Sequence, residues 1–168
     1  MSEGRTKPTE PSPQRARPRT VVDPDGRSKI YRPLRGVDRL AALDAGLRAY
    51  RAREFFEAHE LMEPAWMGTD DLVERDLYQG LIKLAAAGVH ATRGNTLGVR
   101  KNLDGAIRRL ARVAAAGPPQ REGTLAGAMA RVDVRALLSW AERIRALADP
   151  TAEASRPGPI AGAPSDEG

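Results

Sequence analysis

Leu72-Val73-Glu74-Arg75-Asp76-Leu77-Tyr78-Gln79-Gly80-Leu81-Ile82-Lys83-Leu84-Ala85-Ala86-Ala87-Gly88-Val89-His90-Ala91-Thr92-Arg93 is the stretch that decides the fold. On a helical wheel its apolar and small residues cover well over half the circumference. Leu77, Tyr78, Leu81, Ile82, Leu84 and Val89 supply the bulk, and Gly80, Ala87, Gly88 and Ala91 let neighbours approach closely. A helix apolar over so wide an arc belongs at the centre of a bundle. Its polar residues narrow to one stripe, Gln79, Lys83 and His90, flanked by Asp76 and Arg93. Solvent is the favoured destination of that stripe, because a buried helix leaves one narrow polar strip outside. The alternative is the preceding helix.

Working outward, Asp71 and Glu74 have capping-box spacing at the N-terminus of this helix, and Gly94 is the C′ candidate. A first helix is predicted over about 38–50, with Asp38 as N-cap and Leu40, Leu43, Leu47 and Tyr50 on one stripe. A second covers about 54–66, and Pro64 should kink or end it. A fourth runs over about 96–115 on Val99, Leu103, Ala106, Leu110 and Val113, until Gly117-Pro118-Pro119 stops it. Asp133 caps a fifth over about 134–148, with Leu137, Trp140, Ile144 and Leu147 as its stripe. Residues 37–149 show no convincing strand alternation, and Val21, Val22, Ile30 and Tyr31 could anchor the distal end of the preceding segment. The expected fold is all-α, a compact bundle of about five helices spanning residues 36–149.

The ends read differently. Residues 1–35 hold six prolines and little that can build a core, and residues 150–168 are rich in Pro, Gly, Ala and Ser; both compositions predict disorder. The net charge of +5 is concentrated in the first segment, where nine basic face four acidic side chains, against eighteen of each in the remainder. The basic balance therefore predicts weak contacts of the tail with acidic surfaces rather than a nucleic-acid-binding domain. With no cysteine, disulfides and thiolate metal sites are excluded. The absence of an apolar leader and of any long apolar run points to a cytoplasmic chain with no membrane span.

The second predicted helix carries the candidate chemistry. Phe55-Phe56-Glu57-Ala58-His59-Glu60-Leu61-Met62-Glu63-Pro64-Ala65-Trp66 holds both phenylalanines, one of two histidines and one of two tryptophans. Phe55, His59, Met62 and Trp66 share a face, which reads as the core face. Glu63 follows His59 by four residues, so the pair can reach one ion from one helix. The zincin pattern His-Glu-x-x-His is incomplete, because Glu63 stands at the second histidine position. The ferritin-like Glu-x-x-His pattern fails as well, since Phe56 and Ala87 lie three residues before the two histidines. The bland reading is a neutral core imidazole bonded to Glu63 or to a backbone carbonyl, and it is favoured. Charge is also segregated. Residues 54–76 carry eight acidic side chains and one basic, whereas residues 93–112 carry six basic and one acidic. Pairing of Glu57, Glu60 or Glu63 with arginines of the fourth helix follows as an expectation.

Taken together, Phe55-Phe56-Glu57-Ala58-His59-Glu60, Glu63, Trp66, Gln79-Gly80-Leu81-Ile82-Lys83-Leu84-Ala85 and Gly94-Asn95 resemble the small all-helical prokaryotic and plastid family catalogued as domain of unknown function 309. The resemblance spans about 40–113, with Pro64 as a departure. It implies a compact helical bundle and no activity. It also implies that Glu57, His59, Glu60, Glu63, Trp66 and Gln79 are the positions to test for ligand binding.

Two functional readings stand. The first, favoured, is a binding or interaction module in which the Glu/His/Trp cluster fixes packing or lines a groove for a protein or small-molecule partner. The second is a metal-dependent, hydrolase-like enzyme. A divalent metal would be its cofactor, with His59, Glu63 and His90 as ligands and Glu60 as general base.

Overall fold

The computed structural model describes residues 19–149. Six helices occur among them: α1 (Gly36–Arg51), α2 (Phe55–Met67), α3 (Leu72–Thr92), α4 (Thr96–Ala116), α5 (Thr124–Met129) and α6 (Val134–Leu147). The all-α expectation holds. α3 is the central helix, packed between α2 and α4, while α1 covers α2 and α6 covers α4. Leu77 and Tyr78 of α3 are fully buried against Leu43, Ala58, Met62, Ala65, Leu103, Ala106, Leu110 and Val113 from its neighbours.

The caps explain the boundaries. The Asp71 carboxylate accepts from the Glu74 amide at 2.8 Å, Asn95 from Gly98 at 2.8 Å and Asp133 from Ala136 at 2.9 Å, so three helices start on side-chain caps. α3 ends in a Schellman turn, in which the Gly94 and Asn95 amides return to Ala91 and His90 and Gly94 takes φ +65°.

Four details depart from expectation. Asp38 is not the N-cap of α1; it lies in the first turn, where Arg35 donates to it at 2.7 Å. Pro64 does not end α2, which continues to Met67 with Pro64 on its exposed side. α5 has no counterpart in the sequence reading; six residues with an internal glycine show no periodic stripe, and only Ala128 is buried. The segment 19–35, read as part of a disordered tail, contains a hairpin of β1 (Thr20–Val22) and β2 (Ser28–Ile30), paired antiparallel with Val21 opposite Lys29. Its turn is specified locally: the Asp23 carboxylate accepts from the Arg27 amide at 2.7 Å, and Gly26 takes φ +77°. The Arg32 and Leu34 amides then tie the chain to the carbonyls of Met67 and Gly68. The disorder expected for residues 1–18 and 150–168 lies outside the described residues. Among the described residues, no helix is long and apolar enough to cross a membrane.

Candidate functional site

α2 turns Ala58, Met62 and Ala65 fully inward, a stripe rotated from the one expected. Phe55, His59 and Trp66 lie at the margins, half-buried. The His59 imidazole is 33% exposed, and its Nδ1 lies 3.0 Å from Oε1 of Glu60, itself 53% exposed. His59 is therefore a boundary residue paired with its sequence neighbour, not a core histidine bonded to Glu63. Glu57 is exposed, and neither it nor Glu63 forms an ion pair among the described residues.

The polar stripe of α3 faces neither solvent nor α2. It faces α4. Asp76 accepts two hydrogen bonds from Arg112, at 2.6 and 2.8 Å, and Gln79 accepts from Arg109 at 2.5 Å. Lys83 donates to Asn102 at 3.2 Å, and His90 Nδ1 meets Asn95 at 3.1 Å with its ring laid on Gly98. Burial lowers the pKa of Arg109, and the carboxylates of Asp76 and Asp25 act against it. Burial likewise lowers that of Lys83, helped by the neighbouring cations led by Arg109. The expected attraction between acidic and basic segments exists, but Asp76 carries it rather than Glu57, Glu60 or Glu63.

The proposed metal ligands are consequently dispersed. His90 is engaged with the start of α4, and His59 with Glu60 on α2. Among the described residues, no group of three or more His, Asp or Glu side chains is placed to hold a metal ion. Gln79 and Trp66 are also separated from the α2 carboxylates by function. Gln79 holds Arg109, and the Trp66 ring lies 5.3 Å from the guanidinium of Arg75. Arg75 is almost fully buried and donates to the Thr69 carbonyl at 2.7 Å; burial lowers its pKa, with Asp23 opposing.

Sequence reasoning missed the most heavily bonded group. Glu74 is buried and accepts from Arg39 Nε at 2.9 Å, Tyr78 Oη at 2.9 Å, Thr69 Oγ1 at 2.8 Å and Arg39 Nη2 at 3.2 Å. Four donors satisfy both carboxylate oxygens, so the group reads as a fastening between α1 and α3. Burial, and then the Glu74 charge, push the Tyr78 hydroxyl far above its ordinary pKa. Capping-box spacing drew attention to the Glu74 amide but not to its carboxylate partners, Thr69 and Tyr78 nearby and Arg39, which lies 35 residues upstream.

The concavities decide where a ligand fits. One, of about 500 Å³, is polar and lies between the Arg39–Thr69–Glu74 cluster and residues 119–126. Another, of about 290 Å³, lies where the end of α4 meets the start of α6. A third, of about 310 Å³, differs in chemistry: Tyr50, Phe55, Leu84, Leu103, Trp140 and Ile144 wall it, and Ala87, Gly88 and Ala91 form its floor. Tyr50 and Phe55 meet edge to face, centroids 5.3 Å apart, and the Phe55 ring seats directly on Gly88, where any side chain would collide with it. Burial raises the pKa of the Tyr50 hydroxyl. The small residues of α3 that signalled close packing therefore also make this cleft.

The helices that build the cleft include the segment matched by comparison with known proteins. Residues 43–102 match the family described as Domain of unknown function (DUF309). That match lies within residues 40–113, where the sequence resembles this family. A curated relative, "Uncharacterized protein YpuF" of Bacillus subtilis (strain 168), is 31% identical over 68 residues, which cover 40% of this chain and 39% of the relative. No solved structure matches. The matched segment contains the second half of α1, all of α2 and α3 and the start of α4, hence Tyr50, Phe55, Leu84 and Gly88 of the cleft and every α2 carboxylate considered above.

Proposed function

We propose that this protein is a binding module whose ligand is a small, largely apolar molecule held in the cleft between α1, α2, α3, α4 and α6. One observation carries the reading: an aromatic-walled concavity of about 310 Å³ into which five helices converge. Ligand sites are concave, predominantly apolar and commonly set between helices of bundles, with volumes from about 300 Å³ upward. The space suits a small molecule and is too confined for a partner helix, whose diameter with side chains is about 10 Å. Of the six ligand-binding candidates from the sequence, Glu57 comes nearest to this role. It lines an adjoining depression that shares Arg53, Phe55 and Thr92 with the cleft. His59, Glu60 and Glu63 line neither space, and Trp66 and Gln79 serve packing. The hydrolase reading has no geometric support, because its ligands and base do not converge.

Octan-1-ol is a suitable neutral probe. Saturable binding by calorimetry is expected, with a blue shift in tryptophan emission that disappears in Trp140→Phe. Ala91→Phe adds bulk at the cleft lining and should abolish binding. Binding of octan-1-ol to Ala91→Phe as to the parent would place the ligand elsewhere and overturn the reading.

A further inference from the structure

The structure assigns a chemical class to that ligand: we infer that the cleft takes a free medium-chain carboxylate, whose headgroup is held by Arg53. The inference rests on the binding reading above and adds the charge of the ligand. Among the residues lining the cleft, Arg53 alone carries a charge. Its guanidinium is solvent-exposed and makes no ion pair or hydrogen bond among the described residues, a condition it shares with Arg48, Arg51 and Arg93; among these only Arg53 lines the cleft. Glu54 and Glu57 stand in the adjoining depression, together with Arg93, and neither pairs with it. An unengaged cation at the edge of an apolar, aromatic-walled space complements a molecule with an apolar body and an anionic end.

The backbone supplies a second, independent argument. α1 and α3 end in the same Schellman turn. The Arg53 and Glu54 amides return to Tyr50 and Ala49, just as Gly94 and Asn95 return to Ala91 and His90. The C′ residue of both turns takes φ +65°. Glycine is the common occupant there, because a Cβ is strained in the left-handed region. α3 follows that rule with Gly94. α1 places an arginine at the strained position, the only non-glycine residue with positive φ among those described. Strained backbone of this kind concentrates at ligand clamps. Here the strained residue is the charged one of the three, with Phe55 and Thr92, that line both the cleft and the adjoining depression.

The test uses the full chain and three eight-carbon probes: octanoate, octan-1-ol and octylammonium, titrated by calorimetry at neutral pH and low salt. The expected order is octanoate about ten-fold tighter than the alcohol, with the amine weakest. Arg53→Gly removes the guanidinium while restoring the favoured residue to the turn. It should equalise octanoate and octan-1-ol and raise the melting temperature. That rise guards against loss of binding through misfolding. If octanoate binds no more tightly than octan-1-ol, or if Arg53→Gly keeps the preference, the carboxylate assignment is wrong while the cleft still binds. If none of the probes binds, the cleft reading itself fails and the assignment with it.

Discussion

Glu74 shows how a single side chain fastens two helices. Its partner Arg39 is 15% exposed and Glu74 only 3%, so the pair sits well inside the protein. Burial lowers the Arg39 pKa, but the Glu74 carboxylate outweighs it and the net shift is upward. Arg39 also donates to the carbonyl of Leu34, which draws in the segment leading to α1. Stripping one partner from a buried pair leaves the other charge in a medium that cannot solvate it, at a cost of about 3–5 kcal/mol. Against a typical domain stability of about 5–15 kcal/mol that is a large fraction. Arg39→Met is therefore expected to lower the urea midpoint steeply without changing the slope of the transition. The double variant Arg39→Met with Glu74→Leu should recover much of the loss, because no charge is then stranded. A single variant that unfolds with the parent's midpoint would show that Glu74 is solvated by another route.

Elements differ in how openly the sequence declares them. The central position of α3 follows from its width of apolar arc, a property of the helix alone. The ends of α3, α4 and α6 follow from Asp71, Asn95, Asp133 and Gly94, whose bonds stay within four or five residues. Partners across the bundle are another matter. Asp76 and Arg112 lie 36 residues apart, and nothing in either helix says which acidic group will meet which arginine. The sign of the charge pattern was readable, but its pairing required the packing angle and register. The cleft escaped for the same reason, since its walls come from five helices and no local motif joins Tyr50 to Trp140. The hairpin was hidden by proline count, although Asp23 and Gly26 held the turn signal.

α2 offers a prediction at this scale. Pro64 lies inside the helix and gives the Glu60 carbonyl no amide to accept from. In a helix interior proline is about 3 kcal/mol less favourable than alanine, partly offset by about 0.4–1 kcal/mol because it also restricts the unfolded chain. Pro64→Ala should accordingly raise stability by about 2 kcal/mol, read as a higher melting temperature by calorimetry. A loss of stability would mean that the helix is shaped around the proline ring.

Over the whole molecule, stability is expected to be uneven. The bundle core is continuous from Leu43 through Leu77 and Tyr78 to Leu110 and Val113. The hairpin is an outlying unit, with two three-residue strands that are too short to persist alone. It is clipped on by its turn: Asp25 lies 3.6 Å from both Arg109 and Arg112, on top of the Asp76 pairing between α3 and α4. Asp25 is 36% exposed, so solvent screens these contacts and their joint contribution is about 0.2–1 kcal/mol. Amide hydrogen exchange should then report two classes. The Asp23 and Tyr31 amides, bonded at 2.9 and 2.8 Å across the hairpin, exchange by local opening, while those in the middle of α3 exchange only when the bundle unfolds. Asp25→Asn should speed exchange at Asp23 and Tyr31 by up to about five-fold and leave α3 unchanged, since about 1 kcal/mol is a factor of five in an opening equilibrium. Equal rates in hairpin and α3, accelerated together by the substitution, would instead make the hairpin an integral part of one cooperative unit. Residues 19–31 would then have to be counted with the bundle rather than as an attachment to it.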